Sequence, residues 1–383
     1  MKAKNVMVVY GGVSPEHEVA VITALQVMNA LRKANFTVMP VYISKQGNWF
    51  LGGEDYFKPE TYKDLVKVER LGKRVILSPD RDYGLLTKGF LGFGPAEMQP
   101  DVVFPVVHGK NGEDGTLQGL FELANIPYVG CGVTASAIKI DKYIAKKVAE
   151  GLGVKVLRDW LVVKGEQAKL PGVKYPVIVK PVGLGSSIGL TRVERESELA
   201  DALEVAFCYD DRVMIEEAVD GPKEVNVSII GNNPYELSIT EQPVASGETL
   251  SFADKYTSES GKSQGMASAQ RYIPARVDAK IIKSVEENAS KFFRAIGGKG
   301  IARVDFMVDK KGTVYFNEIN TMPGSLAYYL WEKSDLPFPK LVSRLVELAI
   351  TDFERKQDLI TTFESNILAG FINRGLKGNK GRR

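Results

Sequence analysis

Two cysteines and two histidines are all that a chain of 383 residues contains of those types. Cys131 and Cys208 lie far apart and in no CxxC arrangement, so neither a disulfide framework nor a zinc cluster is expected, and a cytoplasmic setting fits. No apolar run approaches the ~20 residues of a membrane-spanning helix. The run in "MKAKNVMVVYGG" is stopped by Gly11 and Gly12, too short for a signal peptide. A membrane is therefore not an expected partner. An excess of one charge is lacking too: setting aside the five basic residues of the final "NRGLKGNKGRR" takes the formal +3 to −2. A near-neutral body argues against nucleic acid as a partner, and the tail reads as a solvated, frayed end. Neither an internal repeat nor a long low-complexity segment precedes that tail.

What is present is an ordinary globular composition, 44% hydrophobic and 25% charged, with length for two or three domains. The first third alternates strand and helix signals: "NVMVVYGG", "SPEHEVAVITALQVMNALRKA", "FTVMPVYIS", "DVVFPVVHG", "LQGLFELAN". Such alternation predicts an α/β domain on a parallel, doubly wound sheet over residues 1–141, with 46–100 as an inserted segment of lower order. "GVTASAIKIDKYIAKKVAEGLG" predicts one helix. Two strands around a Gly-rich loop, the helix "ERESELADALEVAF" and the strand "RVMIEEAV" then make a small α+β unit over 142–223. A larger strand-rich α+β unit with an antiparallel sheet follows over 224–352, and 353–383 is an extension ending in the basic tail.

The stretch 301–320, Ile301 followed by "ARVDFMVDKKGTVYFNEIN", reads as a β-hairpin turning at Asp309–Gly312. With Lys310 and Lys311 at the tip, Val308 faces Thr313, Asp305 faces Phe316 and Arg303 faces Glu318. Residues two apart share a face, so Arg303, Asp305, Glu318 and Asn320 project together. Oxygen donors of this kind suit Mg²⁺ (or Mn²⁺) beside substrate phosphates; a solvated sheet face with an Arg–Glu pair is the plain alternative.

"KPVGLGSSIGLT" places Gly183, Gly185, Ser186, Ser187 and Gly189 after Lys180. Glycines let backbone approach phosphates, and serine hydroxyls donate to them. A strand follows instead of a helix, so neither a Walker loop nor a Rossmann fingerprint fits. Either a lid over a nucleotide or a plain flexible turn remains. Lys180 within an apolar strand needs an anionic partner. In "YGGVSPEHEVAVITA", Ser14 caps a helix with Glu16 and Glu18 in its first turn, where acids suit the dipole; Glu16 also faces the crevice at a strand's carboxyl end. "VVHGKNGEDGTLQGL" sets His108 at another strand end. "EEAVDGPKEV" supplies Glu216, Glu217 and Glu224 near a domain junction, either solvated or turned toward adenine and ribose.

In order, "GGVSPEHEV", "HGKNGEDGTLQG", "KPVGLGSSIG", "DKYTSES" and "ARVDFMVD…FNEINTMPG" resemble the motifs of the D-alanine:D-alanine ligase family of the ATP-grasp superfamily, over roughly residues 4–352. The resemblance implies a three-domain ATP-grasp fold, a homodimer, and ATP-dependent joining of two D-alanines through an acyl phosphate for peptidoglycan precursors. It implies that Asp305, Glu318 and Asn320 hold the metal, that Lys142, Lys180 and Lys255 neutralise phosphates with Ser186 and Ser187, and that Glu216, Glu217, Val219 and Glu224 line the adenine and ribose side. Arg303 and the Gly324 N–H would stabilise the tetrahedral oxyanion. Glu16 would bind the first ammonium, with His108 nearby, while Ser186 and Tyr256 join Glu16 to close the lid.

Ala20 stands where a serine often ends the first motif, and Gly183-Leu184 where some members carry Arg-Glu. Tyr329 stands where many carry a serine for the acceptor's carboxylate, leaving Tyr329 or Ser325 to supply that hydroxyl and another acceptor amino acid or amine as the alternative. Tyr256 after Lys255 matches members that make D-Ala-D-Ala. A non-catalytic nucleotide-binding regulator would predict damage to the metal and phosphate residues, yet Lys180, Arg303, Asp305, Glu318 and Asn320 are all present.

Overall fold

β1 (Asn5–Gly11) is buried along nearly its whole length, as a parallel strand covered on both faces must be. The computed structural model describes residues 4–185, 187–219, 221–244, 270–362 and 365. β1 pairs in parallel with β2 (Thr37–Ile43) on one side. Its other neighbour, also parallel, comes later in the chain, at Val102–Val106. The carboxyl end of β1 is thus where a doubly wound sheet opens its crevice.

The segment expected to be of lower order is ordered. β3 (Trp49–Leu51), β4 (Lys73–Leu77), β5 (Leu85–Gly89) and β6 (Gly92–Pro95) extend the sheet antiparallel, giving the order β6-β5-β4-β3-β2-β1-β7, with β7 at Val102–Val106. These strands are only three to five residues long, and β5 and β6 carry glycines, which hid them from pattern reading. Helix α1 (His17–Lys33) and the helix Phe338–Gln357 cover one face of the sheet. A second helix, α2 (Leu65–Leu71), is capped by Asp64, whose side chain accepts from the N–H groups of Val66 and Lys67.

α3 (Thr116–Leu123) packs on the opposite face. The single long helix expected next is two, α4 (Val133–Ile140) and α5 (Lys142–Gly151). Asp141 breaks it at ψ 93 and caps α5 by accepting from the Ile144 N–H, while Arg212 pairs with its other oxygen. Asp readily trades helical geometry for such a cap.

The middle sheet joins β8 (Asp159–Val163), β9 (Val177–Pro181), β10 (Thr191–Val193) and β11 (Arg212–Glu217) in the antiparallel order β10-β9-β11-β8, backed by α6 (Leu199–Phe207). The third sheet has the order β13-β12-β16-β17, from β12 (Lys223–Gly231), β13 (Tyr235–Leu237), β16 (Gly300–Val308) and β17 (Val314–Asn320); β14 (Gln242–Pro243) and β15 (Arg271–Tyr272) form a two-stranded ribbon. The helix Ala279–Ala295 buries Val285, Ala289, Phe292 and Phe293, a stripe at helical spacing, against this sheet. Phe292 meets Phe316 at 4.4 Å between ring centroids, a contact that would cost about 3–5 kcal/mol to truncate to Ala. That packing makes β16 and β17 a rigid platform.

Candidate active site

The hairpin β16–β17 brings its polar residues together through a different register from the one expected. Val308 faces Val314, Phe306 faces Phe316, and then the register shifts so that Asp305 faces Glu318 and Arg303 faces Asn320. A bulge at Asn317 supplies the extra residue. Continued without it, the register would have set Asn317 opposite Asp305. Arg303 Nε and Nη2 donate to the two oxygens of Asp305 at 2.7 Å each, and Asn320 Nδ2 donates to Asp305 Oδ2 at 2.9 Å. Burial pushes the Asp305 carboxyl up, opposed by Arg303, while Glu318 and Glu241 add to the rise. Burial also works against the Arg303 charge, but Asp305 outweighs it and the guanidinium stays protonated.

Two facing carboxylates and an amide oxygen are a hard, oxygen-rich donor set, and it fits Mg²⁺. Glu318 disfavours the charge of Asp305, a repulsion that a cation held by the pair would relieve. Among the described residues no group of three or more His, Cys, Asp or Glu side chains forms a candidate metal centre; this donor set pairs two carboxylates with an amide.

A cavity of about 460 Å³ opens between the middle and third sheets, lined by Lys142, Lys180, Ser187, Asn317 and Glu318 and by Glu216, Glu217, Val219 and Glu224. Leu157, Ile178, Ile188 and Met307 add apolar lining. Its size and its pairing of apolar with cationic lining suit a nucleotide. Lys180 meets Glu216 Oε2 at 2.8 Å, and Lys146, itself tied to Asp159 at 3.3 Å, meets the same oxygen at 3.2 Å. Glu216 lines the cavity, yet its carboxylate is committed to these lysines rather than open to a ribose. Burial opposes its charge, but Lys146 and Lys180 prevail and hold it at about 2. Glu224 accepts from Asn226 Nδ2 at 3.0 Å.

Lys142 opens α5 and donates to the backbone oxygens of Val182, at 3.5 Å, and Leu184 in the Gly-rich loop. Burial lowers its ammonium to about 8, partly offset by Glu318.

Glu16 is buried at the N-cap of α1, one residue outside the helix instead of within its first turn, and its N–H donates to Ser14 Oγ at 3.1 Å. Gly185 of the lid loop approaches it closely: a Cβ there would lie 3.5 Å from Glu16 Oε2. His108 Nε2 and Thr23 Oγ1 are 3.2 Å apart, and Thr23 Oγ1 also accepts from the Ser325 N–H at 3.2 Å. Gly324 begins the tight turn after β17, where Ser325, Leu326 and Ala327 all adopt left-handed φ values of 54°, 52° and 47°. The Ser325 hydroxyl is buried without a hydrogen-bond partner. Tyr329 donates to Glu241 Oε1 at 3.1 Å, and the Arg271 guanidinium lies 4.0 Å over its ring while pairing with Glu241 at 2.7 Å. Burial and Glu241 raise the Tyr329 hydroxyl's pKa.

Ser186, Lys255 and Tyr256, with the motif "DKYTSES", lie outside the described residues. His17, placed by the sequence in the same Gly- and acid-rich segment as Glu16, is a core residue: its ring nitrogens lie 2.7 Å from the Gly12 oxygen and 3.0 Å from the Tyr42 hydroxyl. Sequence reasoning missed Thr23, Glu113, Lys139, Lys146, Glu241, Arg271 and Asn317. Glu113, Thr23 and Asn317 sat inside stretches already singled out, but as residues without an evident role; Lys139, Lys146, Glu241 and Arg271 acquire theirs from distant elements.

Solved structures of the same architecture include the D-alanine-D-alanine ligase of Coxiella burnetii (TM-score 0.78, 29% identity, 93% of this chain and 98% of that one). The VanG D-Ala:D-Ser ligase of Enterococcus faecalis is also similar (TM-score 0.76, 31% identity, 91% and 100% covered). The fold and the site together define an ATP-grasp enzyme, a ligase that forms C–N bonds. The family model for the D-ala D-ala ligase N-terminus matches residues 5–131, and that for the C-terminus matches 159–347. A D-alanine–D-alanine ligase of Geobacillus kaustophilus is 36% identical over 377 residues, covering 95% of this chain and 99% of the relative. The chain belongs to the D-alanine–D-alanine ligase family, whose ligases use ATP and Mg²⁺. No helix among the described residues is long and apolar enough to cross a membrane.

Proposed function

We propose that the protein joins two D-alanines into D-alanyl-D-alanine for peptidoglycan precursors, activating the first carboxylate as an acyl phosphate at the expense of ATP. One observation carries this reading: a cavity of about 460 Å³ is lined by two lysines and the Glu318 carboxylate, while Gly185 of the loop that also lines it reaches Glu16. Phosphoryl transfer is chiefly positioning and charge neutralisation. Lys142 and Lys180, with Lys255, receive the phosphates, and Ser186 and Ser187 donate to them. Glu217, Val219 and Glu224 border adenine and ribose, with Glu216 fixing Lys180. Mg²⁺ held by Asp305, Glu318 and Asn320 supplies charge neutralisation at the phosphate oxygens.

Glu16 holds the ammonium of the first D-alanine, with His108 alongside, and Ser186 and Tyr256 close the lid upon it. The amine of the second D-alanine attacks the acyl phosphate carbonyl, and Arg303 with the Gly324 N–H steadies the resulting oxyanion before phosphate leaves. Phosphate release that requires D-alanine, together with the dipeptide mass, tests the reading. Nucleotide binding without that product would overturn it.

A second acceptor is favoured by one observation, the commitment of the Tyr329 hydroxyl to Glu241. Ser325, whose hydroxyl is buried and unpartnered, then takes the acceptor's carboxylate, and a D-Ser or other small D-amino acid competes with D-alanine. The relative named as a D-Ala:D-Ser ligase supports testing D-serine in parallel. A clear preference for D-serine would replace the D-alanine assignment.

We also propose a cytoplasmic homodimer with unit boundaries near 141/142 and 223/224. Sedimentation at twice 42.1 kDa and limited proteolysis at those junctions check these points.

A further inference from the structure

Lys139, on the last turn of α4, carries an ammonium whose side chain is only 9% exposed, and it meets Glu113 Oε2 at 3.0 Å. A cation so nearly withdrawn from water needs a specific partner, and Glu113, 5% exposed, needs one equally. The same Glu113 oxygen accepts the Gly109 N–H at 2.8 Å. Gly109, at φ 71°, packs its Cα so near Glu16 that an added Cβ would lie 2.8 Å from Glu16 Oε2. A continuous path therefore runs from Lys139 through Glu113 and the Gly109 peptide to the acid assigned to the first substrate's ammonium. The break at Asp141 presents Lys139 at the end of one helix and Lys142 at the start of the next. Electrostatically, Lys139 is felt by Lys142, and its own charge is favoured by Glu113, Glu16 and Glu318 despite burial.

We infer that Lys139 is a positioning residue for the first amino acid: by neutralising Glu113 it fixes the His108–Gly109 shelf against Glu16, the acid assigned to the substrate ammonium. This rests on the ligase reading above. Without Lys139, Glu113 becomes an acid without its buried cation beneath the shelf. Either it repels Glu16 and loosens Gly109, or it takes a proton and its bond to Gly109 weakens. Both routes degrade ammonium binding at Glu16 while the nucleotide end of the cavity is left intact.

The test uses the full chain. Wild-type D-alanine-dependent phosphate release comes first, and its absence would sink the ligase reading while leaving Lys139 to be judged by binding alone. Lys139→Met is expected to raise KM for the first D-alanine by about tenfold or more, roughly the loss of one charge-assisted contact, with KM for ATP within about twofold. Calorimetric titration of D-alanine into protein saturated with a non-hydrolysable ATP analogue and Mg²⁺ should show the same loss. Lys139→Arg should restore most of the affinity. Lys139→Met combined with Glu113→Gln removes both buried charges and should bind better than Lys139→Met alone, a coupling expected only of directly interacting groups. If Lys139→Met fails to fold, Glu113→Gln with Lys139→Met and Lys139→Arg still decide the matter. Unchanged D-alanine affinity, or equal losses for D-alanine and ATP, or no recovery in the double variant, would overturn the inference.

Discussion

Lys180 and Lys142 border one cavity, yet the molecule treats their charges differently. Lys180 stands in a strand with a carboxylate already at 2.8 Å, and Lys146 and Asp159 extend that pairing into the middle sheet. Lys142 has backbone carbonyls of the lid loop as its hydrogen-bond partners, and burial leaves its ammonium near 8. One cation is thus part of the architecture; the other, in the reading proposed above, is completed by the ligand. Their acids divide in the same way: Glu216 belongs to the fold, and Glu318 is proposed for the chemistry.

The largest effect should come from separating these two acids. Glu318→Gln should cut turnover by roughly a thousandfold, the scale of losing a charge-stabilising group in a dry site, with the melting temperature almost unmoved. Steady-state kinetics with a Mg²⁺ titration checks this; normal turnover and Mg²⁺ dependence would refute the assignment. Glu216→Gln should do the reverse first, lowering stability by roughly 3 kcal/mol, since Lys146 and Lys180 lose a buried partner. Denaturant midpoints measure it. The same carboxylate predicts an acid limb. Its folded value, about 2, lies below the ordinary 4.5, so its contribution is present above pH 4.5 and lost as the pH falls toward 2. Glu216→Gln should flatten that limb.

Lys142 predicts an alkaline effect on binding. Nucleotide phosphates favour its ammonium, so affinity should be full below pH 8 and fall by about tenfold per unit above it. Lys142→Arg should bind ATP evenly across that range, and fluorescence titration of a nucleotide analogue would show it. The smallest expected effect is Tyr329→Phe. It keeps the ring beneath Arg271 and removes one hydrogen bond to Glu241, costing about 1–2 kcal/mol in stability. D-alanine turnover should change little, whereas a large rise in acceptor KM would show that the hydroxyl serves the substrate.

Much of this was legible in the residues themselves. The alternation of the first third announced the parallel sheet, because a strand covered on both faces leaves a continuous apolar run. Arg303, Asp305, Glu318 and Asn320 were recognisable as one face of a hairpin, but their pairing was not. The turn set Val308 against Val314 instead of Thr313, and the bulge at Asn317 added one more residue, so the partners of Asp305 and Arg303 moved by two in all; nothing in "YFNEIN" signals an extra residue there. The helix break at Asp141 was hidden because Asp is tolerated within helices as well as at their caps. Strands β3 to β6 were too short to be seen, and glycines blurred β5 and β6 further. Lys139, Thr23 and Arg271 acquire meaning from neighbours far along the chain, information that periodicity does not carry.

The left-handed run at Ser325, Leu326 and Ala327 has an implication for how this corner can vary. Each such residue bears roughly 1–3 kcal/mol of backbone strain, and glycine would relieve it at all three. The chain instead keeps side chains there, all fully buried or nearly so, and the surrounding packing holds them. A glycine-rich turn would be more comfortable and would also explore more shapes. Enthalpy given up in the loop is thus exchanged for a narrow distribution of positions in the turn that carries Gly324 and Ser325, and a more relaxed backbone there would hold both less firmly.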